Sequence, residues 1–494
     1  MKDALERLEA IVDASAVPGA LEAKLAVGVR PRQLRVRTLF LGLLLAAADD
    51  RPAHLSRAHD ALLALAPADR LRLGVVVDWG GVEHLLTYRQ VEYTFSRVVR
   101  ALEKECPDGR ASHALASVLD ALVEASVRAD VARASTSLAV DWSDLETFAR
   151  PPADPSVSGA DPEASWGHRS AGVAKEDLFF GYFLSAATVV ADEGGPAVPE
   201  LIARITLSSC AVDPVPAFVS VLEAMAASGV ALGDVLCDSG YAHRRPEHWA
   251  LPIRRAGGRL VMDLHPHDRG RRGTFGGAIC ANGNLYCPAT PASLLDLEPL
   301  GRGASAEQMA AHDARSAELA RYKLGPISAA DPDGYHRVMC PAAAGKVRCA
   351  RREDSMALGY DRPQIATSPD PAPPCCTQRT LSVPPEVNAK TAQKHDYPSK
   401  AHRLSYGRRT AAERSFATLK DPASTDVTRG WCRVMGLTAI ALVAACAVVV
   451  RNERVLDAFE ERQRDEARRV AAGLEPRTRR RRRRTISDLL ASAR

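Results

Sequence analysis

The segment YGRRTAAERSFATLK, residues 406–420, sets one acid, Glu413, among Arg408, Arg409, Arg414 and Lys420. On a helix of about 100° per residue, Tyr406, Arg409, Glu413 and Lys420 fall within a sector of about 60°, and Arg408 and Arg414 lie off it. One helix face thus carries an aromatic ring, a carboxylate and two cations. As plain surface this is a helix laced with ion pairs. As chemistry it is a carboxylate ligand for Mg²⁺ or Mn²⁺ beside cations that hold phosphate oxygens. Phosphodiester cleavage needs a nucleophile at neutral pH and charge relief on both the attacking and the leaving oxygen. Two metal ions about 3.5–4 Å apart supply both. Hard cations take oxygen ligands, so further carboxylates must arrive from elsewhere in the chain. Asp141 in LAVDW and Asp238 in VLCDSGY each follow an apolar run. Asp144 is an alternative to Asp141; the end of the apolar run favours Asp141. Arg409 and Lys420 are then expected on DNA phosphates, with Tyr406 donating to a phosphate or stacking on a displaced base.

Those carboxylates need a rigid frame. STSLAVDW (135–142), FFGYFLSAATVVA (179–191), LIARITLSSC (201–210), GDVLCDSGY (233–241) and RLVMDLHP (259–266) have the β-branched and aromatic character of strands. Asp213 followed by proline predicts a helix over 213–228, and RRPEHWALPIRRAGG reads as a second helix. The order is three strands, helix, strand, helix, strand: an α/β core with aspartates at the ends of its first and fourth strands. Residues 1–130 read as mostly helical, including ALLALAPADRLRLGVVV, with Thr87 and Gln90 spaced as a capping box. Residues 131–266 form the first part of the core. Residues 267–400, rich in Gly and Pro, read as an insertion of short strands and loops. Residues 401–455 hold the Glu413 helix, closed by Asp421-Pro422, and an apolar helix. Residues 456–494 continue as a charged helix and the tail RTRRRRRR (477–484).

Charge narrows the partner class. Residues 401–494 contain 21 Lys+Arg and 11 Asp+Glu, a net +10 in a chain whose total is +5. A basic terminal quarter on a mildly acidic body points to a polyanion reached from that end. Residues 1–130, with 17 basic and 18 acidic residues, are no generic basic clamp, though a helical module reading specific DNA ends remains open. VMGLTAIALVAACAVVV (434–450) is 17 uncharged residues, short of the roughly 20 of a membrane span, and reads as a buried helix. A charged opening segment and eleven cysteines without a short secreted framework predict a reducing cytoplasm and no membrane. Cys280, Cys287, Cys340, Cys349, Cys375 and Cys376 all fall in the insertion. They offer ligands for a structural zinc, although their spacings are looser than the usual knuckle and buried thiols are the plainer reading. His265 and His267 read as loop residues.

The pattern Tyr-x2-Arg-x3-Glu-x6-Lys, met by Tyr406, Arg409, Glu413 and Lys420, resembles the signature of bacterial insertion-sequence DDE transposases of the YREK type (insertion sequence 4-like). LAVDW, DPEASWG with the strand after it, and VLCDSGY look like the flanking features of that family over about 130–455. So does the separation of 174 residues between Asp238 and Glu413. The resemblance implies an RNase H-like core and a catalytic triad of Asp141, Asp238 and Glu413 holding two Mg²⁺ or Mn²⁺ ions. It implies binding of double-stranded DNA at transposon ends and target, a homodimer or larger assembly on DNA, and a nucleoid-associated location. The implied chemistry is nicking by activated water, then attack of the freed 3′-OH on the opposite strand or the target. A nuclease that does not transpose, and a non-catalytic DNA-binding descendant, are the other readings.

Overall fold

The computed structural model describes residues 2–25, 33–49, 54–103, 109–154, 157, 159–169, 177–301, 303–331, 333–365, 369–422, 424–428 and 430–475. The arginine run at 477–484 lies outside them.

The first described elements are helices α1 (Lys2–Ala14), α2 (Val17–Lys24), α3 (Val36–Ala48), α4 (Leu55–Leu63) and α5 (Pro67–Arg72). A hairpin of β1 (Val76–Trp79) and β2 (Val82–Leu85) follows, then α6 (Tyr88–Glu103), α7 (His113–Glu124) and α8 (Ala129–Ala134). The hairpin corrects the helical reading of 61–77. Gly74, at φ +70, ends the helical stretch, and Gly80-Gly81, both at positive φ, make the two-residue turn that joins the strands. Half of the predicted box at Thr87 forms: the Gln90 side chain accepts from the Thr87 N–H at 2.7 Å.

The main sheet is built from β3 (Ser137–Glu146), β4 (Ser165–His168), β5 (Leu178–Val190), β6 (Ile202–Ser209), β7 (Asp234–Cys237) and β8 (Arg259–Met262). The connecting helices are α9 (Pro214–Ala227), α10 (Ser239–Ala242) and α11 (Ala250–Arg255). β3 is central. It runs antiparallel to β5 and parallel to β7, and β7 runs parallel to β8. The far edge of β5 is shared by β4 and β6, both antiparallel to it. β6 and β7 are buried throughout, as are most of β5 and the first half of β3, which demands cover on both faces there. α9 and α11 pack on the face that carries Leu138 and Val140. The other face is covered by the last elements of the chain.

Those elements are α16 (Lys400–Tyr406), a 3₁₀ turn (Gly407–Arg409), α17 (Thr410–Lys420) and α18 (Leu437–Ala471). The apolar and charged helices expected from the sequence are a single 35-residue helix. Its first half is buried on every side, because one apolar cluster joins α3, α6, α7, α18 and the sheet residues Leu184, Ile205 and Leu207. Where polarity begins, Asn452 splices the helix to the sheet: its amide accepts from Ile202 N–H at 2.9 Å and donates to Ile202 C=O at 2.8 Å. Among the described residues no helix is long and apolar enough to cross a membrane.

The insertion contains β9 (Arg271–Phe275), β10 (Ala278–Ala281) and β11 (Asn284–Tyr286) in one small sheet. β12 (Gly325–Pro326), β13 (His336–Met339) and β14 (Leu381–Val383) form another. Its short helices are α12 (Ala292–Leu295), α14 (Glu353–Met356) and α15 (Pro374–Thr377). The sequence reading of strands and loops alone misses α13 (Ala306–Tyr322), a 17-residue helix. That helix buries only His312, Leu319 and Tyr322, so it lacks an apolar stripe, but Ser305 and Gln308 form a complete capping box at its start.

Candidate metal and nucleic-acid site

Strand alternation aims the first carboxylate. Ala139 on β3 packs with Ala411 and Ala412 of α17. Asp141 is two residues on and so faces the same helix. Asp144, three residues along, starts from the opposite face. β3 does not end at Asp141, as the apolar run suggests, but continues to Glu146, because the 13-residue β5 pairs with it throughout.

Register then brings in the second. The parallel ladder pairs Leu138 with Val235 and Ala139 with Leu236. Asp141 and Asp238 each lie two residues past the last of these pairs, so they leave adjacent strands at the same level. Asp238 caps α10, its Oδ1 accepting from Gly240 N–H at 2.8 Å. Gly240 is required here: a Cβ would sit 2.9 Å from the Trp142 ring and 2.9 Å from Asp238 Oδ1. Below these residues Trp142, Tyr241 and Trp249 form an aromatic floor, with ring centroids 4.6 Å and then 4.5 Å apart. Sequence reasoning gave that floor no role, although Tyr241 stands in the same VLCDSGY motif.

The third carboxylate comes from α17. The 3₁₀ turn puts Arg409 three residues after Tyr406 on nearly the same line, and its guanidinium lies 5.9 Å from the Tyr406 ring centroid. Arg409 Nη1 is 3.1 Å from Asp141 Oδ2, and Nη2 donates to Glu413 one turn on. One guanidinium therefore bridges two carboxylates 272 positions apart in the chain. Tyr406 stacks on buried His402, centroids 5.6 Å apart, and its hydroxyl is pushed upward in pKa by burial. It is a shelf for Arg409 as well as a polar group.

Electrostatics marks the centre of this group. Burial pushes the Asp141 carboxyl up to about 7, the charges of Asp238 and Glu413 add to the rise, and Arg409 and the Trp142 N–H oppose it without prevailing. A partly buried carboxyl facing two others is short of positive charge, which is the condition a divalent cation relieves. The three carboxylates suit Mg²⁺ or Mn²⁺ by their oxygen chemistry, with Arg409 now standing where that charge is needed. Among the described residues, no three of His, Cys, Asp and Glu are gathered tightly enough to hold a metal ion as they stand.

Lys420 ends the stripe elsewhere. Its Nζ is 2.6 Å from Asp144 Oδ1 and 2.8 Å from Ser143 Oγ. Asp144 also meets Arg169 Nε at 3.1 Å, and the two cations hold its carboxyl below the usual range against the upward push of burial. Asp144 thus has two cations to itself, while Asp141 shares its one arginine with Glu413. The cations off the stripe are also engaged. Arg414 pairs with Glu200, and Arg408 Nη2 reaches Asp234 at 2.7 Å. The His265 and His267 rings lie against each other at a 41° tilt, centroids 5.0 Å apart, at a short 3₁₀ turn after β8. No family model matches this chain, and no curated protein matches it either.

Proposed function

We propose that the chain is a DNA transposase of the DDE kind, cleaving and rejoining phosphodiester bonds at transposon ends. The observation that carries this reading is the convergence of Asp141, Asp238 and Glu413 on one another from two neighbouring strands and a distant helix, around a single arginine. The order β6-β5-β3-β7-β8, with β3 antiparallel to β5 and parallel to β7, supports an RNase H-like core.

Asp141, Asp238 and Glu413 would hold Mg²⁺ or Mn²⁺, which when bound supplies an activated nucleophile and charge relief on the phosphate. The protein's own part is positioning. Asp141 and Asp238 are fixed by the ladder and by the α10 cap, so little rearrangement is needed as charge builds. Arg409 would exchange the carboxylates for a phosphate oxygen once cationic charge arrives. Lys420 and Tyr406 extend the same face toward the backbone of double-stranded DNA. Each chemical step breaks one P–O bond and forms another, with water and then a 3′-OH as nucleophile, so no covalent enzyme intermediate is required. Joining two ends calls for two copies of the chain on DNA.

The test is cleavage of DNA carrying the element's ends, with Mg²⁺ or Mn²⁺, by the wild-type chain and by Glu413→Ala. Metal-dependent nicking by the wild type alone is expected. Equal cleavage by both would remove Glu413 from the site and the reading with it. Joined products separate a transposase from a nuclease, and binding without any cleavage marks a non-catalytic descendant.

A further inference from the structure

The insertion is a poor apolar domain. Its strands are two to five residues long, and its two small cores draw five of their buried side chains from cysteine. Domains with so little core are generally stapled by a disulfide or a metal. All ten described cysteines are free thiols.

Backbone pairing gathers a particular set of these thiols. Cys287 N–H donates to Tyr322 C=O at 2.9 Å, and Leu324 N–H donates to Leu285 C=O at 2.9 Å. The chain then enters β12, where Gly325 pairs with Met339 of β13, which carries Cys340 to the side of Cys287. A turn closed by Ala344 N–H on Cys340 C=O at 2.9 Å leads back to Cys349. Cys287, Cys340 and Cys349 end in one buried cluster, each less than a tenth exposed. Arg352 N–H donates to Cys349 C=O at 2.9 Å, and Arg352 Nη2 donates to Gln378 C=O at 2.7 Å. That arginine ties the Cys349 turn to α15, which bears Cys376. On α15 the Cys375 and Cys376 thiols lie 4.0 Å apart, Cys375 buried and Cys376 partly exposed. Cys280 falls outside the group. It packs in the neighbouring core with Cys375, and the partly buried Cys376 packs against that core from its edge.

We propose that Cys287, Cys340, Cys349 and Cys376 form a structural zinc site that closes the insertion. The spacing in the sequence suggests Cys280 as the partner of Cys287; the fold instead pairs Cys287 with Cys340 and Cys349. Four S–H protons leave to solvent as four Zn–S bonds form, and no redox partner is needed. The side chains must rotate inward to complete a tetrahedron, since among the described residues no three such ligands stand within reach of one metal ion. The site is independent of the carboxylate group and of the proposed activity.

The full-length chain, purified under reducing conditions with zinc present and then desalted, is assayed for bound metal by mass spectrometry. About one zinc per chain is expected. It should be retained in Glu413→Ala and Cys280→Ser, and held at least roughly tenfold less tightly against a chelator in Cys287→Ser, Cys340→Ser, Cys349→Ser or Cys376→Ser. If those four variants do not fold, the wild-type chain loaded with Co²⁺ still decides. A tetrahedral, thiolate-rich cobalt spectrum supports the site. A chain without zinc, an octahedral cobalt spectrum, or zinc that survives substitution of all four cysteines overturns it.

Discussion

Asp141, partly buried, and Asp234, fully buried, lie on adjacent parallel strands of one sheet, yet their surroundings are opposite. Asp234, at the start of β7, meets Lys394 Nζ at 2.7 Å, Arg408 Nη2 at 2.7 Å and Arg259 Nη2 at 2.9 Å. Burial pushes its carboxyl up, but the hydrogen bonds from Lys394 and Arg408 prevail and hold it below the usual range. Asp141, beyond the other end of the ladder, shares one arginine with Glu413, faces Asp238, and is pushed up to about 7. One end of the sheet over-supplies counter-charge and the other withholds it. A carboxylate kept short of positive charge serves stability poorly and a metal well, whereas one surrounded by cations is a clamp.

The sharpest break of this comparison is by substitution. Asp141→Asn should lower metal-dependent cleavage by on the order of a thousandfold or more, while its thermal midpoint stays level or rises because a like-charge contact is removed. Asp234→Asn should do the reverse. It leaves three cations facing a neutral group and should cost about 3–5 kcal/mol in chemical denaturation, with cleavage per folded molecule retained. A fall in midpoint for Asp141→Asn, or an unchanged one for Asp234→Asn, would erase the distinction.

Mg²⁺ or Mn²⁺ sharpens it. At about ten times its dissociation constant a metal should raise wild-type stability by about 1.4 kcal/mol, and Asp234→Ala should keep that increment. Asp141→Asn should lose it. Equal metal-induced shifts in wild type and Asp141→Asn, read by thermal unfolding, would place the metal elsewhere.

Acidity separates the two ends by sign. Asp234 and Glu193 have depressed pKa values, Glu193 held at about 2 because hydrogen bonds from Lys394, Ser405 and His395 outweigh burial. Their contribution is present above the ordinary carboxylate pKa and is lost as pH falls through the folded values, so denaturation between about pH 4.5 and 2 reads it. Asp141 is raised. Its contribution is full below the ordinary aspartate value of 3.8 and is lost as pH climbs through about 7. Without divalent metal, the wild type should therefore lose stability relative to Asp141→Asn between about pH 4 and 7. Parallel curves would contradict the shift. The smallest effect is expected from Tyr406→Phe, which keeps the ring under Arg409 and removes only the hydroxyl. It should weaken DNA binding by less than about tenfold and leave folding unchanged.

How much of this could be read from the residues follows from the range of each interaction. The stripe of Tyr406, Arg409, Glu413 and Lys420 was legible because helical spacing is local, and the 3₁₀ turn inside it did not break the alignment. The five apolar runs gave β3 and β5 to β8, and Asp213 with its proline gave α9; β4, which lies in a stretch rich in Pro, Gly and Asp that reads as a loop, was missed. The β1–β2 hairpin was missed although Gly80-Gly81 announces it, because the apolar run before it fits either period. α13 was missed because it buries so little.

The amino-acid sequence by itself determined which segments pair or coil, and that an acid and two cations share one helix face. These follow from backbone sterics and from periods of 2 and 3.6 residues. Tertiary structure alone decided which cations the two aspartates of β3 meet, Arg409 for Asp141 and Lys420 with Arg169 for Asp144. It alone decided that Asp234 is clamped by Lys394 and Arg408, 160 and 174 residues away. It alone separated Cys280 from Cys287, because pairing between distant strands is set by burial of their shared apolar surface rather than by spacing along the chain.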